Sequence, residues 1–178
     1  MRETVRLGRI RGIAVGANWS LLLILWLLAW SLADGQLPDA APGVGRLESW
    51  VVAAVAACTF FGCLLLHELA HSLVARRHGV PVDGIVLWLF GGVSRFDRDP
   101  DEPSVELRIA IAGPATSLAL SAAFLGVAVL LDAVAGNGPI VAACDWLAGV
   151  NLLLAAFNLL PAFPLDGGRV LRAILWRR

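Results

Sequence analysis

Four long apolar runs alternate along the chain with short polar stretches. The first runs from Trp19 to Ala33; the second starts at Trp50, passes Leu66 and continues without a breaker to His78; the third is Val105 to Ala135; the fourth is Ile140 to Leu160. A helix rises about 1.5 Å per residue, so about 20 apolar residues match the hydrocarbon thickness of a bilayer. The pattern predicts a polytopic α-helical membrane protein with about four transmembrane helices, over residues 19–33, 50–78, 105–135 and 140–160, built as one core across residues 1–178. Gly79 and Pro81 stop the second helix, Gly136-Asn137-Gly138-Pro139 separates the third from the fourth, and Gly35 to Gly45 reads as an external loop. The first run is not a signal peptide. No small-x-small cleavage site with a polar mature region follows it, and further apolar runs come later, so it reads as an uncleaved first span.

Residues 82–96 break the helical pattern. Val82-Asp83-Gly84-Ile85-Val86-Leu87-Trp88-Leu89-Phe90-Gly91-Gly92-Val93-Ser94-Arg95-Phe96 is β-branched, aromatic and punctuated by glycine, and reads as one or two short strands between helices two and three. Lipid does not tolerate open strand edges, so this membrane-associated β segment must be covered by protein or line a cavity. The Asp97 to Pro103 stretch after it is a solvated loop.

Composition narrows the class. Of 178 residues, 58% are hydrophobic and 16% charged, against roughly 25% charged in soluble domains. Fourteen basic residues balance 14 acidic ones, which leaves no electrostatic footprint for nucleic acid. Cys58, Cys63 and Cys144 form no CxxC pair and read as apolar packing. All the basic residues are Arg, and their placement sets an orientation. With the N-terminus in the cytoplasm, 13 of the 14 fall on the cytoplasmic side, Arg46 alone lying outside. A multi-pass protein of the cell membrane, with both termini in the cytoplasm, follows. The same sorting puts the C-terminal ends of spans two and four at the cytoplasmic face.

The sharpest chemical signal lies at the end of the second run, in His67-Glu68-Leu69-Ala70-His71. Helical positions four apart differ by about 40° and roughly 6 Å in rise, so both imidazoles face one way and can take adjacent corners of a tetrahedral zinc. Glu68 sits about 100° further round, near the metal without ligating it, where a general base for water belongs. On a soluble helix such a pattern can arise by chance. Inside a span each ionisable group costs at least ~2.5 kcal/mol, and three within five positions call for a metal or a water-filled cavity. A catalytic zinc takes three protein ligands and keeps one position open. His78, beside Arg76 and Arg77, reads as an interfacial residue. Asp166 follows span four on the same side and its neighbours Gly167 and Gly168 permit close backbone approach, although Asp-Gly is also a common turn.

HELAH at the end of an apolar span, followed about ninety residues later by Asn158-Leu-Leu-Pro161-Ala-Phe-Pro-Leu165-Asp166-Gly167-Gly168-Arg169, resembles the site-2 protease family of intramembrane zinc metalloproteases. Trp19-Ser20, Phe90-Gly91-Gly92-Val93 and Ala112-Gly113-Pro114-x-x-Ser117 agree with it, and the resemblance covers almost the whole chain. It implies one Zn²⁺ held by His67, His71 and Asp166, with Glu68 as catalytic base and Asn158 in the active site. It also implies a membrane-protein substrate presenting a transmembrane helix, cut within or near that helix in regulated intramembrane proteolysis, toward the cytoplasmic side of the lipid bilayer. Many members of that family carry further spans or regulatory domains, whereas this chain closes soon after the LDGG motif; oligomeric state is not readable.

Other polar positions have plainer readings beside these. Asn158 in an apolar helix is either a hydrogen-bond link to a neighbouring helix or an oxyanion donor. Gly113 and Ser117 form a small-xxx-small pair suited to close helix packing. Gly91-Gly92 is either a turn or part of an open edge for strand addition by a peptide. Two rival functions share the composition. A catalytically silent zinc-binding protein that captures transmembrane helices would have no use for Glu68. A metal transporter needs polar residues across the whole bilayer, and the outer halves of the spans are almost wholly apolar, Asp145 excepted.

Overall fold

The computed structural model describes residues 4–89, 91–96 and 98–176; Arg2, Phe90, Asp97, Arg177 and Arg178 of the reading above lie outside them. The chain runs β1 (Val5–Ile10), β2 (Ile13–Ala17), α1 (Ser20–Ser31), a π-helical turn (Leu32–Gln36), α2 (Leu37–Ala40), α3 (Arg46–Arg77), β3 (Val82–Trp88), β4 (Gly91–Phe96), α4 (Pro103–Ala135), α5 (Pro139–Asn158) and α6 (Asp166–Trp176). Among the described residues, four helical stretches, Ser20–Ala40, Arg46–Arg77, Pro103–Ala135 and Pro139–Asn158, are long and apolar enough to cross a membrane.

The first helix outlasts its expected end. Residues 35–40, read as loop, stay helical because Leu32, Ala33 and Leu37 pack on Ala53 and Ala56 of α3 and Ala143 of α5. That burial outweighs the poor propensity of Asp34-Gly35. The widened π turn leaves the Ala33 carbonyl to Ser49 of α3, whose buried hydroxyl donates to it at 2.8 Å. Helix α3 ends in a Schellman motif. Gly79 takes φ +76°, Val80 N–H reaches the Ala75 carbonyl and Gly79 N–H that of Arg76. Val80 then packs against Ala75 and Ile109, which ties this end of α3 to α4.

The sheet is larger than residues 82–96 alone suggest. Its order is β1-β2-β3-β4, with β2 and β3 parallel and the outer pairs antiparallel. The β1–β2 hairpin occupies residues read only as a basic start. Ile10 and Ile13 face each other across Arg11-Gly12, both at positive φ, the geometry of a two-residue hairpin turn. Ile13, Ile85 and Leu87 on one face of the sheet join Phe61, Leu64 and Leu69 of α3 in a common core. Strand β4, at the sheet's far edge, is thereby laid along the HELAH turn of α3. Helix α6 is a second addition, since this segment read as at most an Asp-Gly turn. Gly167 and Gly168 let its first turn lie on the backbone of Leu159, Leu160 and Ala162, where a Cβ would collide.

Candidate metal centre

Three donor atoms from two distant segments converge. His67 Nε2 and His71 Nε2 are 3.2 Å apart, and Asp166 Oδ2 stands 3.3 Å from the first and 3.2 Å from the second. Zinc bonds of about 2.0–2.2 Å at tetrahedral angles separate ligand atoms by roughly 3.3–3.5 Å, so the triangle has the size of one face of a zinc tetrahedron. The two histidines are 2% and 4% exposed. Burial pushes the Asp166 carboxyl upward, but hydrogen bonds and charge from His67 and His71 outweigh it and hold the group at about 2. It is therefore anionic at neutral pH, as a metal ligand must be.

Helix α4 turns the imidazoles. His71 Nδ1–H donates to the Ile109 carbonyl at 2.6 Å, which leaves the Nε2 lone pair for the triangle. His67 Nδ1 lies 2.9 Å from Ser117 Oγ, a hydrogen bond that anchors the ring with Nε2 toward the triangle. Between them, a Cβ on Gly113 would run into Nε2 of both rings. Gly113 and Ser117, read as a helix-packing pair, instead admit and orient the imidazoles. The spacing was visible in the sequence; what the small residue makes room for was not.

Glu68, 8% exposed, is held from the strand side. Ser94 Oγ donates to Glu68 Oε2 at 2.8 Å, Ser72 donates to Ser94 at 3.1 Å, and Gly92 stands so close to the Glu68 side chain that any Cβ there would overlap it. The role of Ser94 is not legible in the sequence, because nothing local links it to a residue 26 positions earlier. The Asn158 amide donates to the Leu154 carbonyl of its own helix at 2.9 Å. It occupies the last position of α5, eight residues before Asp166, with one N–H still to spend. His78 is exposed, accepts from Arg108 at 3.3 Å and stays outside the triangle. Among the described residues, His67, His71 and Asp166 are the one group of His, Cys, Asp or Glu placed to share a metal ion.

The chain is similar in sequence to known proteins. The chain is 51% identical over its full length to "Putative zinc metalloprotease Rip3" of Mycobacterium tuberculosis, covering 45% of that protein, and 35% identical over its full length to a zinc metalloprotease of Methanocaldococcus jannaschii, covering 47%. It thus spans about half the length of these curated relatives. Among solved structures it is similar to the site-2 protease from Methanocaldococcus jannaschii, at 35% identity and a TM-score of 0.67, over 98% of this chain and 72% of that one. The sequence profile of peptidase family M50 matches residues 55–134 and 132–178, which take in both the HELAH turn and the segment bearing Asp166. Sharing that profile through both halves of its metal-sized triangle, the chain belongs to peptidase family M50.

Proposed function

We propose that this chain is the core of an intramembrane zinc metalloprotease that hydrolyses peptide bonds within or near the transmembrane segments of membrane proteins. One observation carries the reading: a metal-sized His67–His71–Asp166 triangle, with a buried carboxylate beside it, whose two histidines lie on a helix apolar enough to cross a bilayer. In this reading the four apolar stretches span the membrane, both termini are cytoplasmic, and the site opens toward the cytoplasm. The sorting of Arg supports that orientation.

His67, His71 and Asp166 would hold one Zn²⁺, which supplies Lewis-acid polarisation of the scissile carbonyl and makes water more acidic. Glu68 takes the proton of the attacking water and returns it to the leaving amine. The Ser94 hydroxyl fixes the Glu68 carboxylate and leaves its other oxygen for water. Asn158 has a spare amide N–H to offer the developing oxyanion. A helical substrate hides its carbonyls in backbone hydrogen bonds and has to unwind before attack. Among the described residues, strand β4 pairs with a strand on one side only, and its other edge suits an extended peptide, held by strand addition next to Glu68.

The test is reconstitution of the chain in vesicles with a single-span membrane protein whose span carries a helix-weakening Gly-Pro pair. Cleavage is expected at that pair, lost on removal of zinc by a chelator and restored by added zinc. Cutting that survives in demonstrably metal-free protein contradicts the mechanism, and binding of the reporter with zinc present but without cutting favours a silent helix-capturing protein.

A further inference from the structure

Helix α4 bears more on the metal triangle than its contacts with the two histidines. Glu106 lies at its cytoplasmic end in the proposed orientation and is 0% exposed. Its Oε1 accepts from Nε of Arg172 at 2.7 Å and from Nη2 of the same guanidinium, and Nε of Arg169 is 3.8 Å away. Both arginines belong to α6, whose first residue is Asp166. Glu106, Ile109, Gly113 and Ser117 follow at spacings of three and four, so they line one stripe of α4. Along that stripe the helix binds α6, turns His71, admits both imidazoles and turns His67.

Cohesion alone does not explain a carboxylate sealed in this place. Buried ion pairs can commonly be exchanged for apolar residues without loss of stability, and α6 already packs through Gly167, Gly168 and Ala173. What a guanidinium fork adds is direction: two donors converging on one oxygen fix the rotation and height of α6 against α4. Asp166 needs that constraint. It sits at the start of a short helix entered from the exposed segment Pro161–Pro164, and a shift of about 1 Å would take its oxygen off the triangle.

We propose that Glu106 is the positioning residue of the third metal ligand: through Arg172 and Arg169 it locks α6 so that Asp166 stands against His67 and His71. The inference rests on the reading of those three residues as metal ligands. It extends the supporting shell from partners of the histidines to a residue that touches no ligand and acts through the helix that carries one.

The test is metal affinity of the full chain in detergent, measured by competition with a zinc chelator, with Co²⁺ absorption as a report on coordination. Glu106→Gln keeps the shape and removes the charge; it is expected to lower zinc affinity by about 10–100-fold and to alter the cobalt bands. Arg172→Lys, which keeps the charge and loses the fork, carries the same expectation should Glu106→Gln not fold. The decisive arm is the double variant. If Glu106 acts through Asp166, Glu106→Gln causes no further loss on an Asp166→Ala background, whereas general loosening of the fold causes the same loss in both backgrounds. Wild-type affinity and an unchanged cobalt spectrum in Glu106→Gln, or an undiminished loss in the double variant, overturn the proposal. Failure of the metal reading itself looks different: Asp166→Ala alone would then bind zinc as tightly as the wild type.

Discussion

Protein carrying Glu68→Gln is expected to bind zinc as the wild type does and to cleave roughly 10²–10⁴-fold more slowly, the usual cost of losing a general acid–base group. The two effects separate because Glu68 stands outside the donor triangle. Gln matches Glu in size, so the close approach of Gly92 is kept, and its amide oxygen can still accept from Ser94. What Gln cannot do is take a proton from water. The check is paired zinc content and cleavage rate on the same preparation. Near-normal cleavage would remove Glu68 from the chemistry, and loss of zinc would mean that it belongs to the metal site.

The second large effect is expected at Gly113, where a single methyl group should sharply weaken metal binding. In Gly113→Ala the new Cβ meets Nε2 of both His67 and His71, and the imidazoles cannot retreat while Ser117 and the Ile109 carbonyl hold their other nitrogens. Either the rings turn away from Asp166 or α4 moves back from α3. Overpacking of this kind costs about 1–3 kcal/mol of stability, and loss of ring orientation alone costs about 10–100-fold in metal affinity. A loss of about 100-fold or more is therefore expected. Gly126→Ala on the same helix is the control, because a Cβ there meets nothing within 4 Å. Zinc affinity that is equal in the two variants would show that α4 does not back the site.

How much of this was legible in the sequence differs residue by residue. His67, Glu68 and His71 were readable because their relation is local: the helical repeat alone puts two imidazoles on one face and the carboxylate beside them. Asp166 was visible only as a candidate, since Asp-Gly-Gly suits a turn as well as a ligand. Its helix went unseen, because two glycines lower helix propensity and only the Leu159, Leu160 and Ala162 backbone shows why they are there. The β1–β2 hairpin escaped notice for another reason. The alternation in Val5-Arg6-Leu7 is broken by a bulge before Gly8, so the period of two never runs long enough to stand out from a basic leader. Glu106 and Arg172 are 66 positions apart, and no local pattern joins them. Long-range partners of this kind, Ser94 with Glu68 among them, are set by packing of α4 and β4 on α3 and of α6 on α4.

Zinc content bears most directly on the central claim, that His67, His71 and Asp166 together hold one catalytic metal ion. Purified wild-type chain, loaded and then dialysed against a chelator of known affinity, is expected to retain one zinc per chain. Asp166→Ala should fall in affinity by more than the roughly 10–100-fold that loss of a supporting partner costs. An Asp166→Ala protein that keeps wild-type zinc affinity would contradict the triangle as the metal site.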